Sequence, residues 1–153
     1  MTALLRSGKI VEEKIMTGLD EDRSEAWREA AARLEKNKKI AVGLLDAMAH
    51  GDKAEIDRLL SPKATWWVIG YGEFDRATLL NMLTRTLDRA TERRHTVLGV
   101  TAEGDRVAVE SESEFHFPER IYRNSYHDLV FIEGDQVIRV KEYLDPRASA
   151  GEI

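Results

Sequence analysis

A chain of 153 residues, 42% hydrophobic and 33% charged, has the material for one folded domain with a core. Its net charge of −5, with no cluster of lysine and arginine, argues against nucleic acid as a partner. The absence of cysteine excludes disulfides, thiolate nucleophiles and thiolate metal sites. No apolar run approaches the roughly 20 residues that span a bilayer, so no membrane partner is expected. The first stretch, "MTALLRSGKIVEEKIM", has neither a long apolar core nor a small-residue cleavage site. A cytoplasmic location is therefore the expectation.

Residues 1–21 show weak periodicity and a break at Gly18, and read as an extension with room for a short helix. Leu5, Ile10 and Ile15 are expected to cover apolar surface on the domain or on a second subunit. The domain proper is expected over residues 22–147, with 148–153 as a tail. Asp22, with Glu25 three residues on, has the spacing of a capping box. Trp27, Ala30, Ala31, Leu34, Ala41, Leu44, Leu45 and Met48 then form one helical stripe that ends at His50-Gly51. Asp52 and Glu55 repeat the cap and open a short helix carrying Ile56, Leu59 and Leu60, closed by Pro62.

"ATWWVIG", residues 64–70, reads as a strand ending in the turn Gly70-Tyr71-Gly72. Trp66 and Trp67 must point to opposite sides of it, so one lines a core or cavity and the other packs elsewhere. Asp75 caps a third helix with Leu79, Leu80, Leu83 and Leu87 on one face. Four strands follow, at about 94–102, 106–117, 120–132 and 136–144, separated by Gly104-Asp105, Pro118-Glu119 and Gly134-Asp135. The order ααβαββββ is an α+β domain: a curved antiparallel sheet wrapped around three helices as a cone whose mouth can hold a small molecule.

Two acids interrupt the last strands. Arg139 and Lys141 belong on the wet face of their strand, which turns Ile138, Val140, Glu142 and Leu144 inward. The preceding strand has two registers open to it. With a two-residue loop at Gly134-Asp135, Glu133 pairs with Gln136, His127 faces Glu142, and Asp128 meets Lys141 outside as a surface ion pair. With a bulged three-residue loop, Ile132 pairs with Gln136, and Asn124, Tyr126, Asp128, Val130 and Ile132 share the inner face with Glu142. Glycine at the first loop position suits the two-residue turn.

The element order, "ATWWVIG", "EGDRVAVESE" and the closing "IEGDQVIRVKEYLD" together resemble the nuclear transport factor 2-like superfamily. Within it the chain is most similar to the SnoaL-like group, itself similar to ketosteroid isomerases, over about residues 36–147. That resemblance implies the cone fold and the bulged register. It places Asp128 where SnoaL-like polyketide cyclases carry a catalytic aspartate, and Glu142 where limonene epoxide hydrolase carries one of its two. Glu112 and Glu114 stand where that hydrolase has an Arg-x-Asp pair, so its arginine is missing.

These readings name a candidate site. Asp128 is expected to act as base and Glu142 as its acidic partner, two inward carboxylates whose proton affinities diverge. Tyr126 would donate to a developing oxyanion, and Asn124 would help orient the substrate oxygen. Trp66, Trp67 and Glu112 are expected to contact substrate. Glu110, Glu112, Glu114 and His116 share one face of their strand, which otherwise reads as a solvated acidic face. His95 reads as structural or exposed. No spacing for a metal, nucleotide or acyl-transfer motif occurs, so no cofactor and no metal are expected. The expected function is cofactor-independent acid–base catalysis, an isomerisation or cyclisation of a small apolar carbonyl or hydroxyl compound, in a homodimer. The alternatives are an epoxide hydrolase and a non-catalytic module that binds a small ligand or dimerises.

Overall fold

The computed structural model describes the backbone of residues 2–149 and the side chains of residues 21–148. In chain order the elements are α1 (Thr2–His50), α2 (Lys53–Leu59), β1 (Leu60–Val68), β2 (Gly72–Asp75), α3 (Arg76–Arg89), β3 (Glu92–Glu103), β4 (Arg106–His116), β5 (Ile121–Glu133), β6 (Gln136–Leu144) and α4 (Pro146–Ser149). They fall into two compact units, residues 1–33 and 34–153.

The first unit is the N-terminal part of α1. Helical backbone passes through Gly18 and Asp22 without a break, so the helix start expected at Asp22 is corrected. A single interior glycine costs a helix only about 1 kcal/mol, too little to stop it. Leu5, Ile10 and Ile15 lie outside the described side chains. Trp27 is 78% exposed, and the expected apolar stripe is buried only from Ile40 onward.

The second unit holds the core. Ile40, Ala41, Leu44, Leu45 and Met48 of α1 pack with Val107, Val109, Val130, Val137 and Val140 of the sheet. Gly51 ends α1 at φ +71, a conformation that favours glycine, and a Cβ there would meet Leu87 at 2.9 Å. The two expected caps form: Asp52 accepts from the Glu55 amide and Asp75 from the Thr78 amide at 2.8 Å. Pro62 does not close α2, which ends at Leu59 and passes straight into β1. Among the described residues no helix is long and apolar enough to cross a membrane.

The sheet is curved and unclosed, with six strands in the order β2-β1-β6-β5-β4-β3. β3 to β6 form the expected antiparallel run. Two features differ from expectation. The chain continues past the turn Gly70-Tyr71-Gly72 into a sixth strand, β2, antiparallel to β1. In addition, β1 and β6 pair in parallel, Trp66 with Val140 and Val68 with Glu142. Parallel neighbours need a long connection, and everything from β2 to β5 supplies it.

The β5–β6 turn combines both registers that the sequence left open. Glu133 pairs with Gln136 across a two-residue loop, with Gly134 at φ +61. One pair further on, Ile132 meets Val137 but Phe131 meets Arg139, so Ile138 is an extra, bulged residue. From there the register is the one that sets Asp128 opposite Glu142. The expectation that Ile138 points inward is thereby corrected: it is 37% exposed, and Val137 and Val140 are buried instead. Asp128 and Lys141 are not partners, because Lys141 stands opposite Leu129.

Candidate active site

The bulge at Ile138 decides which side chains reach the interior. On β5, Tyr122, Asn124, Tyr126, Asp128, Val130 and Ile132 alternate inward, and His127 is exposed. On β4 the inward set is Val107, Val109, Ser111, Ser113 and Phe115, so the acids between them face away. Glu112 is exposed and lies outside the cavity that holds Asp128 and Glu142.

That cavity has a volume of about 180 Å³. Leu45, Met48, Leu79, Met82 and Leu83, from α1 and α3, make an apolar helical wall. The sheet wall is the polar one, carrying Ser111, Ser113, Tyr126, Asp128 and Glu142. A small number of convergent polar groups against apolar walls is the usual make-up of a small-molecule site.

Asp128 and Glu142 are opposite each other on adjacent strands, and Asp128 is only 3% exposed. Burial, and then the charge of Glu142, push the Asp128 carboxyl well above its ordinary range. Burial raises Glu142 to about 7, opposed by the Trp66 indole. Trp66 Nε1–H donates to Glu142 Oε2 at 2.5 Å, which favours the anion. Asp128 Oδ1 is buried with no hydrogen-bond partner, and so is Ser111 Oγ. The pair titrates as one unit, and the indole hydrogen bond favours placing its negative charge on Glu142 and its proton on Asp128.

Tyr126 completes this wall. Its hydroxyl is 2.8 Å from Ser113 Oγ and 3.0 Å from the Tyr122 hydroxyl. Burial, with Tyr122 and Glu142 beside it, pushes the phenol well above its ordinary value, so it stays protonated. Asn124 has a different task. Its amide donates to the Tyr122 hydroxyl and the Asp145 carbonyl and accepts from the Ser125 and Asp145 amides. With all four positions filled, it ties the end of β6 to β5 and orients Tyr122, and it does not line the cavity. Trp66 lines the cavity, whereas Trp67 lies on the other face, 5.3 Å from the Tyr143 ring and under Lys141 Nζ.

Ser111, Ser113 and His95 line the cavity but were absent from the expected site. Ser111 and Ser113 follow from the alternation Glu110, Glu112, Glu114 once those acids are assigned to solvent. His95 was expected to be structural or exposed; its side chain is 7% exposed, lines the cavity and bonds Asp46 Oδ1 through Nδ1 at 2.6 Å. A buried histidine needs a partner, and nothing local to His95 marks α1 as the element that supplies it. Among the described residues no three His, Asp or Glu side chains converge as a metal-ligand set.

The same arrangement of elements occurs in known structures. An epoxide hydrolase of the limonene-epoxide-hydrolase-like type from M. tuberculosis superposes with a TM-score of 0.67 at 14% identity, over 78% of this chain and 90% of that one. IdmH from Streptomyces antibioticus, described as a candidate polyketide cyclase, gives 0.65 at 16% identity over 76% and 96%. An NTF2-like protein from Burkholderia xenovorans gives 0.61 at 19% identity over 76% and 95%. Identities this low establish the fold alone. No curated protein sequence matches the chain. The family model described as SnoaL-like domain matches residues 41–140, which include Asp128 and most of the cavity wall but stop short of Glu142, and the chain belongs to the SnoaL-like family.

Proposed function

We propose that the protein is an acid–base enzyme that moves a proton next to a carbonyl group in a small, mostly apolar substrate. The observation that carries this reading is the buried, unpartnered Oδ1 of Asp128 directly opposite an indole-bonded Glu142. A carboxyl held protonated in a dry site is a hydrogen-bond donor, and a neighbouring carboxylate raised to about 7 is a base matched to neutral pH. The roles are the reverse of those expected from sequence. Glu142 takes the proton from the carbon beside the carbonyl, and the electron pair of that C–H bond moves into the carbonyl. The resulting enolate oxygen is held by the Asp128 and Tyr126 hydroxyls. In a substrate with a neighbouring C=C bond, return of the proton at the far end of the dienolate shifts that double bond; attack of the enolate carbon on a second carbonyl instead closes a ring, the proton on Glu142 passing to the new alkoxide. The outward position of Glu112 and the absence of an arginine from the cavity wall weigh against epoxide opening.

Exchange of α-protons tests this without knowledge of the natural substrate. Cyclohexanone in D2O should lose its α-protons faster with the protein than with buffer alone, as followed by NMR. Glu142→Gln should remove about 10²- to 10⁴-fold of that acceleration. Exchange at the buffer rate with the wild-type protein overturns the reading in favour of a binding module. Hydration of cyclohexene oxide without ketone exchange overturns it in favour of an epoxide hydrolase.

A further inference from the structure

The proposed reaction uses one end of the cavity and leaves a second polar station unexplained. His95 on β3 is directly opposite Ser113 on β4, and Ser113 Oγ bonds Tyr126. Asp128 lies two strands over from His95 and four residues further along, opposite Val109. Strand geometry separates their Cα atoms by roughly 16 Å, and their side chains converge on one cavity.

Asp46 fixes what His95 can offer. A carboxylate only accepts hydrogen bonds, so Nδ1 must be the protonated ring nitrogen in the 2.6 Å contact. With Nδ1 so committed, Nε2 is the ring nitrogen left for a ligand, and no hydrogen bond to a described residue occupies it. Holding the second ring nitrogen by a carboxylate is the ordinary way to fix both tautomer and ring orientation. A histidine with only a structural task would be satisfied on both sides or turned toward solvent. This side chain is 7% exposed and lines the cavity.

Cavity size restricts what can bridge the two stations. A dry engineered cavity of about 150 Å³ takes one benzene. At about 180 Å³ this cavity takes one ring and its immediate substituents, not a fused polycyclic skeleton.

We propose that the ligand is a single-ring-sized compound with two oxygen functions. One is a carbonyl received by Asp128 and Tyr126. The other is a hydroxyl at the far end that donates to His95 Nε2, with Asp46 as the positioning residue. This deepens the acid–base reading and rests on the same cavity. It concerns recognition, so it is tested by binding rather than by proton exchange.

The probes are 4-hydroxycyclohexanone and 4-methylcyclohexanone, similar in size and differing in the hydroxyl. Titrations followed by NMR give both dissociation constants. Wild-type protein should favour the hydroxyl compound by about five- to tenfold, the worth of one neutral hydrogen bond. His95→Phe should abolish or reverse the preference. His95→Gln, which puts an amide oxygen near the former Nε2, should restore part of it. Asp46→Ala should reduce it by releasing the ring. Glu142→Gln should keep the preference while removing exchange, which separates a failed reaction from a failed recognition site. Thermal melting of each variant identifies any that do not fold. Equal affinities in the wild type, a preference that survives His95→Phe in a folded protein, or no binding of either probe at millimolar concentration would each overturn the proposal.

Discussion

At the scale of single residues, the candidate site is a contrast between one satisfied carboxylate and one orphan. Trp66 stabilises the Glu142 anion through a short indole hydrogen bond. Trp66→Phe keeps the ring in place and removes that donor, so the Glu142 pKa should rise above about 7. A charge-assisted bond of this kind is worth about 1.5–3 kcal/mol, which moves the titration upward by about one unit or more. The pH profile of ketone exchange should shift by the same amount, and an unchanged profile would remove Glu142 from the base role. Ser111 gives the complementary case. Its hydroxyl is buried and unpartnered, so Ser111→Ala should stabilise the unliganded protein by about 1 kcal/mol in denaturant unfolding while weakening ketone binding. Glu142 was legible from strand parity, whereas Asp128 and Tyr126 came inward in only one of two open registers, the one that the family resemblance favoured. The alternation around Ser111 and Ser113 was equally readable, but a row of glutamates drew attention away from the serines between them. His95 was not legible, because its partner Asp46 lies 49 positions away on a helix.

At the scale of elements, a single extra residue delivers both carboxylates to the same face. The sequence offered a tight turn or a bulged turn as exclusive alternatives. The chain takes the tight turn that Gly134 favours and places the bulge inside β6 at Ile138 instead. No local signal marks that position, since Ile138 sits among residues that all suit a strand. Its location follows from burial: only the slipped register puts Val137 and Val140 in the core together with Val130. Gly134 and Ile138 should therefore respond differently to change. Gly134→Ala forces a side chain into φ +61, in space with nothing within 4 Å of the new Cβ, so the penalty is backbone strain alone. It should cost about 1 kcal/mol, read as a lower melting temperature, with probe binding intact. Deleting Ile138 removes the bulged residue itself, so it should leave Asp128 opposite Glu142 and exchange intact; loss of exchange in a folded deletion variant would mean that the bulge does more than set the register. The β2 strand and the parallel β1–β6 pair escaped the sequence reading for a related reason. Pairing between distant segments is set by what the whole sheet buries, and turn chemistry reports only on neighbours.

At the scale of the whole molecule, the site costs stability, and the cost has a pH signature with a definite sign. Asp128 and Glu142 both have folded-state pKa values raised by burial, Glu142 to about 7. Below about pH 3 both groups are protonated in the folded and unfolded chains alike, and neither affects stability. As pH rises from there, the unfolded chain releases these protons first, so stability falls until the folded groups also ionise. The loss is spread from about pH 3 to beyond 7, and above that range it remains as a constant penalty. The exposed carboxylates act in the opposite sense. Asp75, accepting from Thr78, and Glu114, bonded to His116 and Arg123, have lowered pKa values and contribute stability that is lost as pH falls through them. Both sit in solvent, where screening keeps their contributions small. The double variant Asp128→Asn, Glu142→Gln should thus unfold at higher denaturant than the wild type at pH 8, by about 1–3 kcal/mol, and match it near pH 3. It should also be inactive in exchange. A gain of equal size at both pH values would mean better packing rather than removal of buried charge. No gain at pH 8 would mean that water reaches the carboxylates, and the protonated Asp128 on which the mechanism depends would have to be given up.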